Sequence, residues 1–550
     1  MLAGSLSAQE SASVVYESTP SDLVRTVYEG LPEDSTVKHG AFQQYALNHL
    51  LVSGFYLRNK KQGVWKKFYP NEQVSMVGLY LQGQRHGKWQ VFYDNGQVAA
   101  NLYYNRGKRI GTWDGYYRDG QQACLRNYRN DTLIGEQVRY YSNGKIEEVE
   151  KISYRDGAQF REVVRYRPGG IIEWEERTRD YALHGRQRTY HASGSVAEDT
   201  EYDNDRLVKV YGIKGRNGED LVIGTFREGD GTVNHYNKDG LLTSTLSYRN
   251  GMLHGIAKFF DTSGRLDREG VYANGEKVGN WKGYDNRKKV TSVHDHLPDG
   301  RVNFTRYGDG KAKETGHLRD NMRSGHFQSF DFYGELEEES HYAYGLRHGY
   351  ASLQPENVAR QEGEFHYGER TGTWLYKNKS GKVTFRDEYH NAVTLDTAFV
   401  QEHPHFFRIG GDYLEMHKQL QSILSVGQVE DLRDPYWEAS FFGGDNLLFE
   451  YHQNNLQLPE VAKEKNVRGI VLVAVTISET GEITDPKVIR GIGYGCDEEA
   501  LRLVAGMPWW EPALLYGIPV DHQLLLRFSF PIGEEYEVHY SSGRIVRRRR

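Results

Sequence analysis

The residues of this 550-residue chain that could carry chemistry are repeated Gly-x-Gly triplets, a recurring His-Gly pair, a short His cluster, two cysteines and a set of evenly spaced tryptophans. Gly229-Asp-Gly231 and Gly308-Asp-Gly310 have the form that cradles phosphate when it lies between a strand and a helix. Both lie inside hairpins, and that context disqualifies them as nucleotide loops. His-Gly recurs at His86-Gly87, His184-Gly185, His254-Gly255 and His348-Gly349, each at the same turn. Hydrogen bonding at a hairpin corner accounts for these pairs better than metal ligation. His403-Pro404-His405 brings two imidazoles together without Cys or carboxylate ligands at useful spacing. Cys124 and Cys496 stand alone in different parts of the chain, which gives neither a disulfide framework nor a metal site. They read as small buried hydrophobes. Nucleophile elbow, zinc-protease helix and recurring carboxylate pair are all lacking. No enzyme, no metal and no cofactor are expected.

The elements that would position these residues come from an internal period. Gly63-Val-Trp-Lys-Lys-Phe-Tyr69, Gly87-Lys-Trp-Gln-Val-Phe-Tyr93 and Gly111-Thr-Trp-Asp-Gly-Tyr-Tyr117 are one motif, its glycines 24 residues apart. Gly135 follows after another 24, and the period returns at Gly231, Gly255 and Gly279. Weaker copies open at Gly40, Gly157 and Gly185, a blurred one lies near Gly212, and others continue near Gly300, Gly325, Gly349 and Gly372. About fourteen units over 40–390 result. Each reads as a β-hairpin: a strand over 89–93, a turn at Asp94-Asn95-Gly96, a return strand over 97–104, then Asn105-Arg106-Gly107 into the next unit. Successive hairpins extend one antiparallel meander, with aromatic ladders across strands. Trp65, Trp89, Trp113, Trp281 and Trp374 then either hold a thin sheet together or form a platform for a glycan or peptide; the first is the expectation.

Composition agrees with a thin array. The chain has 60 Gly, 39 Tyr and 14 Pro, a mean hydropathy of −0.72 and 38% hydrophobic residues, low for its length. Charged residues are 26%, both signs mixed, which argues against disorder. A net charge of −6 argues against a nucleic-acid partner. Arg547, Arg548, Arg549 and Arg550 form a basic tail (534–550), either a solvated end or an anionic contact such as a membrane surface. Residues 1–8 read as the remnant of a signal peptide cut after Ala8, and 9–39 as a lead-in. No stretch approaches the roughly eighteen apolar residues of a membrane helix.

After Tyr389 the rhythm stops. A connector over 391–440 contains a helical spacing over 412–424. Then come a helix over 445–455 with Asp445 as N-cap, a short helix opened by Pro459, a strand over 469–477, a turn at Glu479-Thr-Gly-Glu482, a strand over 483–491, a helix over 497–504 and a strand over 520–530. The order ααββαβ makes a small sheet covered on one face by helices. The expected fold class is therefore mainly β: an elongated single-layer hairpin array plus a small C-terminal α+β domain over 441–533.

The G-x-W-x-x-Y/F-Y-x-[DN]-G units resemble MORN repeats, and more closely the MORN-variant repeats of YwqK-like antitoxin proteins. That resemblance is specific for architecture; its family associations are scaffolding, membrane-lipid contact and toxin neutralisation. The C-terminal stretch is similar to the C-terminal domain of the TonB family in its Bacteroidota-type form. The matching residues are Gly443-Gly444, Leu458-Pro459-Glu460-Val461-Ala462, Gly469 to Val475, Gly481-Glu-Ile483, Asp497-Glu-Glu-Ala-Leu501, Met507-Pro-Trp-Trp-Glu-Pro512 and Gly517-Ile-Pro-Val520, with Leu458 where that family usually has Tyr. This resemblance implies residence in the periplasm, at or near the outer membrane, and capture of a partner peptide by strand addition. The partner implied is an outer-membrane transporter or its complex. Carried over, the partner-binding strand comprises His522, Gln523, Leu524, Leu525, Leu526, Arg527, Phe528 and Ser529. A full energy transducer also needs an N-terminal membrane helix and a Pro-rich spacer, which the sequence does not show, so a docking module on a scaffold is expected. An antitoxin-like blocker and a lipid-binding array with peripheral membrane contact are the alternatives.

Overall fold

The computed structural model describes residues 13–18, 24–46, 48–354, 359–403, 406 and 436–531. The signal-peptide remnant at 1–8, the connector helix at 412–424 and the basic tail lie outside the described residues. The hairpin array is present, and every neighbouring pair in it is antiparallel. Gln84–Phe92, for example, pairs back onto Val74–Leu81 and forward onto Val98–Asn105. One meander was expected, but there are two sheets. The first has 20 strands, from Ser13–Ser18 to Arg206–Ile213, and takes in the lead-in; the second has 14, from Gly231–Tyr236 to Val383–Tyr389. Between them, where the period blurs near Gly212, only isolated bridges such as Lys214–Asp220 and Gly224–Val233 form. The sheets stay joined by Leu207 N donating to Gly251 O (2.9 Å) and by a small core of Leu207, Ile213 and Val233.

Three contacts recur with the repeat. Each tryptophan's indole N–H donates to the carbonyl ten residues earlier: Trp65 to Phe55, Trp89 to Leu79, Trp113 to Tyr103, Trp281 to Val271 and Trp374 to Glu364, at 3.1–3.2 Å. The indole lies flat on the backbone of the residue before that pair partner, which is Gly54, Gly78, Gly270 or Gly363 in four of the five cases. In four successive units of the first sheet a tyrosine hydroxyl just beyond the first strand reaches the next unit. Tyr69 donates to Phe92 O (2.7 Å), Tyr93 to Tyr116 O (2.7 Å), Tyr117 to Tyr140 O (2.5 Å) and Tyr141 to Tyr166 O (2.6 Å). Arg167 and His191 take over the same position further on. At the corners, His86 Nδ1 accepts from Arg106 N and His254 Nδ1 from Asn274 N, both at 3.4 Å. Among the described residues no cluster of His, Cys, Asp or Glu is arranged to hold a metal ion, and both cysteines are free and buried.

The C-terminal unit is a four-stranded sheet in the order Thr394–Leu395, Ile483–Gly491, Gly469–Ile477, His522–Phe530, beside a three-stranded one of Tyr436–Trp437, Ala513–Leu515 and Ile518–Val520. Its helices are α1 (Thr397–Glu402), α2 (Asp445–Asn455), α3 (Glu460–Glu464) and α4 (Cys496–Ala505). Gly444, with φ of 80°, occupies the N-cap of α2, and Asp445 falls in its first turn instead. The inner face of the larger sheet (Val471, Val473, Val475, Ile477, Leu524, Leu526, Phe528) shares one apolar core with α2, α4 and the array residues Trp65, Trp89 and Trp113. The opposite face, which the strand order alone leaves open, is also covered. Leu472, Ala474 and Ile489 pack on Phe399 and Val400 of α1 and on Met322, Tyr344 and Leu346 of the late repeats. No described helix is long and apolar enough to cross a membrane.

Candidate docking strand and its seam with the array

His522–Phe530 alternates without interruption: His522, Leu524, Leu526, Phe528 and Phe530 are buried, while Gln523, Leu525, Arg527 and Ser529 are half-buried on the other face. All nine residues pair antiparallel with Gly469–Ile477, in a register running from Gly469 opposite Phe530 to Ile477 opposite His522. The strand is terminal in its sheet, and no described strand pairs with its other edge. Its two faces are committed to packing: Leu525 joins the cluster around Phe399, Phe528 is fully buried against His452 (ring centroids 4.8 Å apart), and Tyr436 Oη lies 2.7 Å from His522 Nδ1. What the strand can still offer is its backbone edge, the element used when an extended peptide adds to a sheet. Burial pulls the imidazoles of His452 and His522 down to about 4, so both are neutral at neutral pH.

The five repeat tryptophans are all at most 5% exposed. Their faces are taken up by neighbouring rings, as in Trp89–Tyr80 (5.0 Å) and Trp281–Tyr272 (5.0 Å). Trp65 also stacks on Trp509 of the C-terminal unit, centroids 6.3 Å apart and planes 15° from parallel.

That stack belongs to a seam which sequence reasoning missed. The turn around Glu479 and Glu482 is held by cations of two successive repeats, Arg85 with Glu479 and Lys61 with Glu482. Lys67, almost wholly buried, donates from Nζ to Trp510 O (2.6 Å). The tight turn at Tyr516-Gly517 presses onto the array where Ala99, Ala100, Ala123 and Cys124 are fully buried. Cys124 Sγ there lies 3.7 Å from Tyr516 O, and Tyr516 Oη donates to Glu147 (3.2 Å). A Cβ on Gly517 would meet Tyr116 O at 2.6 Å. A second seam joins the late repeats. Arg490 pairs with Glu369, both buried, and also donates to Tyr367 O (3.1 Å). Arg468 pairs with Asp387 at 2.6 Å, and Asn391 Nδ2 donates to Arg468 O (2.7 Å). Burial pushes the Glu369 carboxyl up and the Arg490 guanidinium down, and each opposes the other's shift. Contacts to residues 61–147 and to 322–391 hold one small domain, so the array curves round it instead of running on as a free ribbon.

A signal for the first seam does exist in the sequence. Ser75-Met76, Ala99-Ala100 and Ala123-Cys124 fall at the same place in three successive units. A small pair repeated at the array period marks the surface another element approaches closely.

With this geometry in place, comparison with known proteins is direct. Residues 454–532 match the family described as the Gram-negative bacterial TonB protein C-terminal. Residues 85–106, 133–151, 183–204 and 253–274 match the MORN repeat variant. No curated protein matches the chain. Among solved structures, TcdB2-TccC3 is similar at 12% identity, with 66% of this chain and 19% of that chain covered and a TM-score of 0.12. The Photorhabdus luminescens Tc holotoxin pore is similar at 10% identity, 66% and 22% coverage and a TM-score of 0.12. A porin-like protein from Bacteroides uniformis is similar at 11% identity, 55% and 92% coverage and a TM-score of 0.13. The chain thus spans about a fifth of the length of the first two, and at these scores none of the three bears on its fold or function.

Proposed function

We propose that this chain, which joins MORN-variant repeats to a TonB-type C-terminal domain, is a non-enzymatic adaptor of the cell envelope. It works in the periplasm, docking an outer-membrane transporter or its complex through strand addition to His522–Phe530. The observation that carries this reading is the terminal position of that strand in a sheet whose two faces are already packed. Packing fixes the strand, so a partner segment meets a preformed edge and loses little affinity to ordering it. In this reading the array is the brace: the charged pairs at 479–482 and at Glu369–Arg490 hold the domain in one orientation on a large sheet.

The test is site-specific photocrosslinking in cell envelopes. Benzoylphenylalanine at Gln523 or Ser529, half-buried positions of the strand, is expected to give an adduct with an outer-membrane barrel protein. The same group at Val271, 40% exposed on the outer face of the repeats, is expected to give none. Adducts from Val271 alone, or none from either strand position, would overturn the proposal.

A further inference from the structure

Between the array and the smaller sheet of the C-terminal unit lies a cavity of about 410 Å³ whose lining includes no residue of the docking strand. Its volume is within the range of small-ligand sites, roughly 300–1,000 Å³. Aromatic residues wall it from both sides, Tyr69 and Tyr93 from the repeats and Trp437 and Phe441 from the domain. Trp437 is 42% exposed and so stands where the cavity meets solvent; its ring centroid is 6.0 Å from that of Tyr93. Arg118 sits over the same ring at 5.4 Å, held by Asp94 at 2.5 Å.

The polar lining is incompletely used. Ser75 is 4% exposed and its Oγ has no hydrogen-bond partner. Glu511 Oε1 is sealed from solvent and likewise has none. The Glu511 backbone is fixed beside the cavity, its N–H and C=O both bonded to Ser440, at 2.9 and 3.1 Å. Lys67, the nearby cation, is occupied by Trp510 O and forms no ion pair with Glu511 among the described residues. Burial pushes the Glu511 carboxyl up, with the charge of Lys67 opposing. The lining carries two basic groups, Lys67 and Arg118, and three acidic ones, Asp94, Glu438 and Glu511. A buried acceptor without a donor costs free energy that a fitted donor recovers, and aromatic faces favour that donor being cationic.

We propose that this cavity binds an organic monocation: an ammonium or guanidinium head on an apolar stem, from a free amine or from the basic side chain of a peptide. The head meets Glu511 and Ser75, and the stem lies among Tyr69, Tyr93, Trp437 and Phe441. The site is independent of strand addition at His522–Phe530.

Calorimetry on the full chain tests it, with benzylamine, benzyl alcohol, benzoate and N-acetyl-arginine methylamide as probes. At least one of the two cations is expected to bind about tenfold more tightly than benzyl alcohol or benzoate, in keeping with the strength of a desolvated cation–aromatic contact. Benzylamine alone would identify a free amine, and the arginine amide a peptide side chain. Glu511→Gln and Trp437→Ala are each expected to weaken that binding about tenfold, and Val461→Ala, an exposed position not in the lining, to leave it unchanged. Trp437, being part-exposed, keeps the test available if the Glu511→Gln variant fails to fold. Equal binding of benzoate, no binding of either cation, or affinity unaltered in Trp437→Ala would each overturn the proposal.

Discussion

Gly78 shows how much one atom decides in this array. The indole of Trp89 occupies the place where a Cβ on Gly78 would stand, and Gly54, Gly270 and Gly363 lie in the same way beneath Trp65, Trp281 and Trp374. Gly78 is extended and not in the left-handed region, so the requirement is steric and not conformational. Gly78→Ala is expected to destabilise the protein by about 2–3 kcal/mol through overpacking. Urea unfolding checks this, and Gly169→Ser, at an exposed turn glycine outside the left-handed region with nothing within 4 Å of its Cβ position, serves as the comparison for exposed sites. The two buried histidines give a pH dependence. The ordinary imidazole value near 6.5 is that of the unfolded chain, whereas His452 and His522 are held at about 4 when folded. Between those values the unfolded chain binds more protons, so stability is full above about pH 6.5 and falls as pH drops towards 4, by about 3 kcal/mol for each imidazole at most. Thermal melts at pH 7, 5.5 and 4.5 should show that fall, and His452→Phe should make it shallower.

At the scale of the element, turn chemistry and spacing decide most of the structure, and both are local. Glycines at Gly63, Gly87, Gly111 and Gly135 adopt φ of 66–71°, as the 24-residue spacing and the flanking strands require. The strands over 469–477 and 483–491 and the main helices of the C-terminal unit were legible for the same reason: alternation, acidic first turns and Pro/Gly boundaries lie within a few residues of one another. The short strands Tyr436–Trp437, Ala513–Leu515 and Ile518–Val520 were not, because two or three residues carry no period. The tyrosine rivets were visible as a repeated aromatic but not as hydrogen bonds, since their acceptors lie 23 residues away on the backbone. Tyr117→Phe removes one such bond while keeping the ring. It should cost about 1 kcal/mol, with an unsatisfied carbonyl at Tyr140 as the cause. Hydrogen exchange localised to the strands Gly111–Tyr116 and Gly135–Tyr140 would register it; protection unchanged there would mean that solvent replaces the rivet without loss.

At the scale of the whole molecule, the array and the C-terminal domain form one interlocked body, which the chain signals only through the small pairs at 75–76, 99–100 and 123–124. The contacts that join them link residues as far apart as Lys67 and Trp510, 443 positions along the sequence, and the repeat does not say which segment it meets. The consequence is a specific pattern of dependence. The strands over 61–124 give their inner face, Trp65, Trp89, Ala99, Ala123 and Cys124, to the domain, whereas the strands over 231–308 take no part in the contacts that form either seam. Weakening the first seam should therefore loosen 61–124 and leave 231–308 as they were, although both are built from the same repeat. Gly517→Ala is the sharpest such change, because its Cβ would run into the backbone of Tyr116 at a φ of 79° where only glycine is unstrained. Native-state hydrogen exchange is expected to show protection lost over 61–124 and retained over 231–308 in this variant. Arg490→Met, which strands the buried Glu369, is expected to destabilise by about 3–5 kcal/mol and to loosen the late repeats around 367–391. Uniform loss of protection across both sheets in either variant would mean that the array unfolds as a single unit regardless of the domain, and the brace assigned to the seams would have to be abandoned.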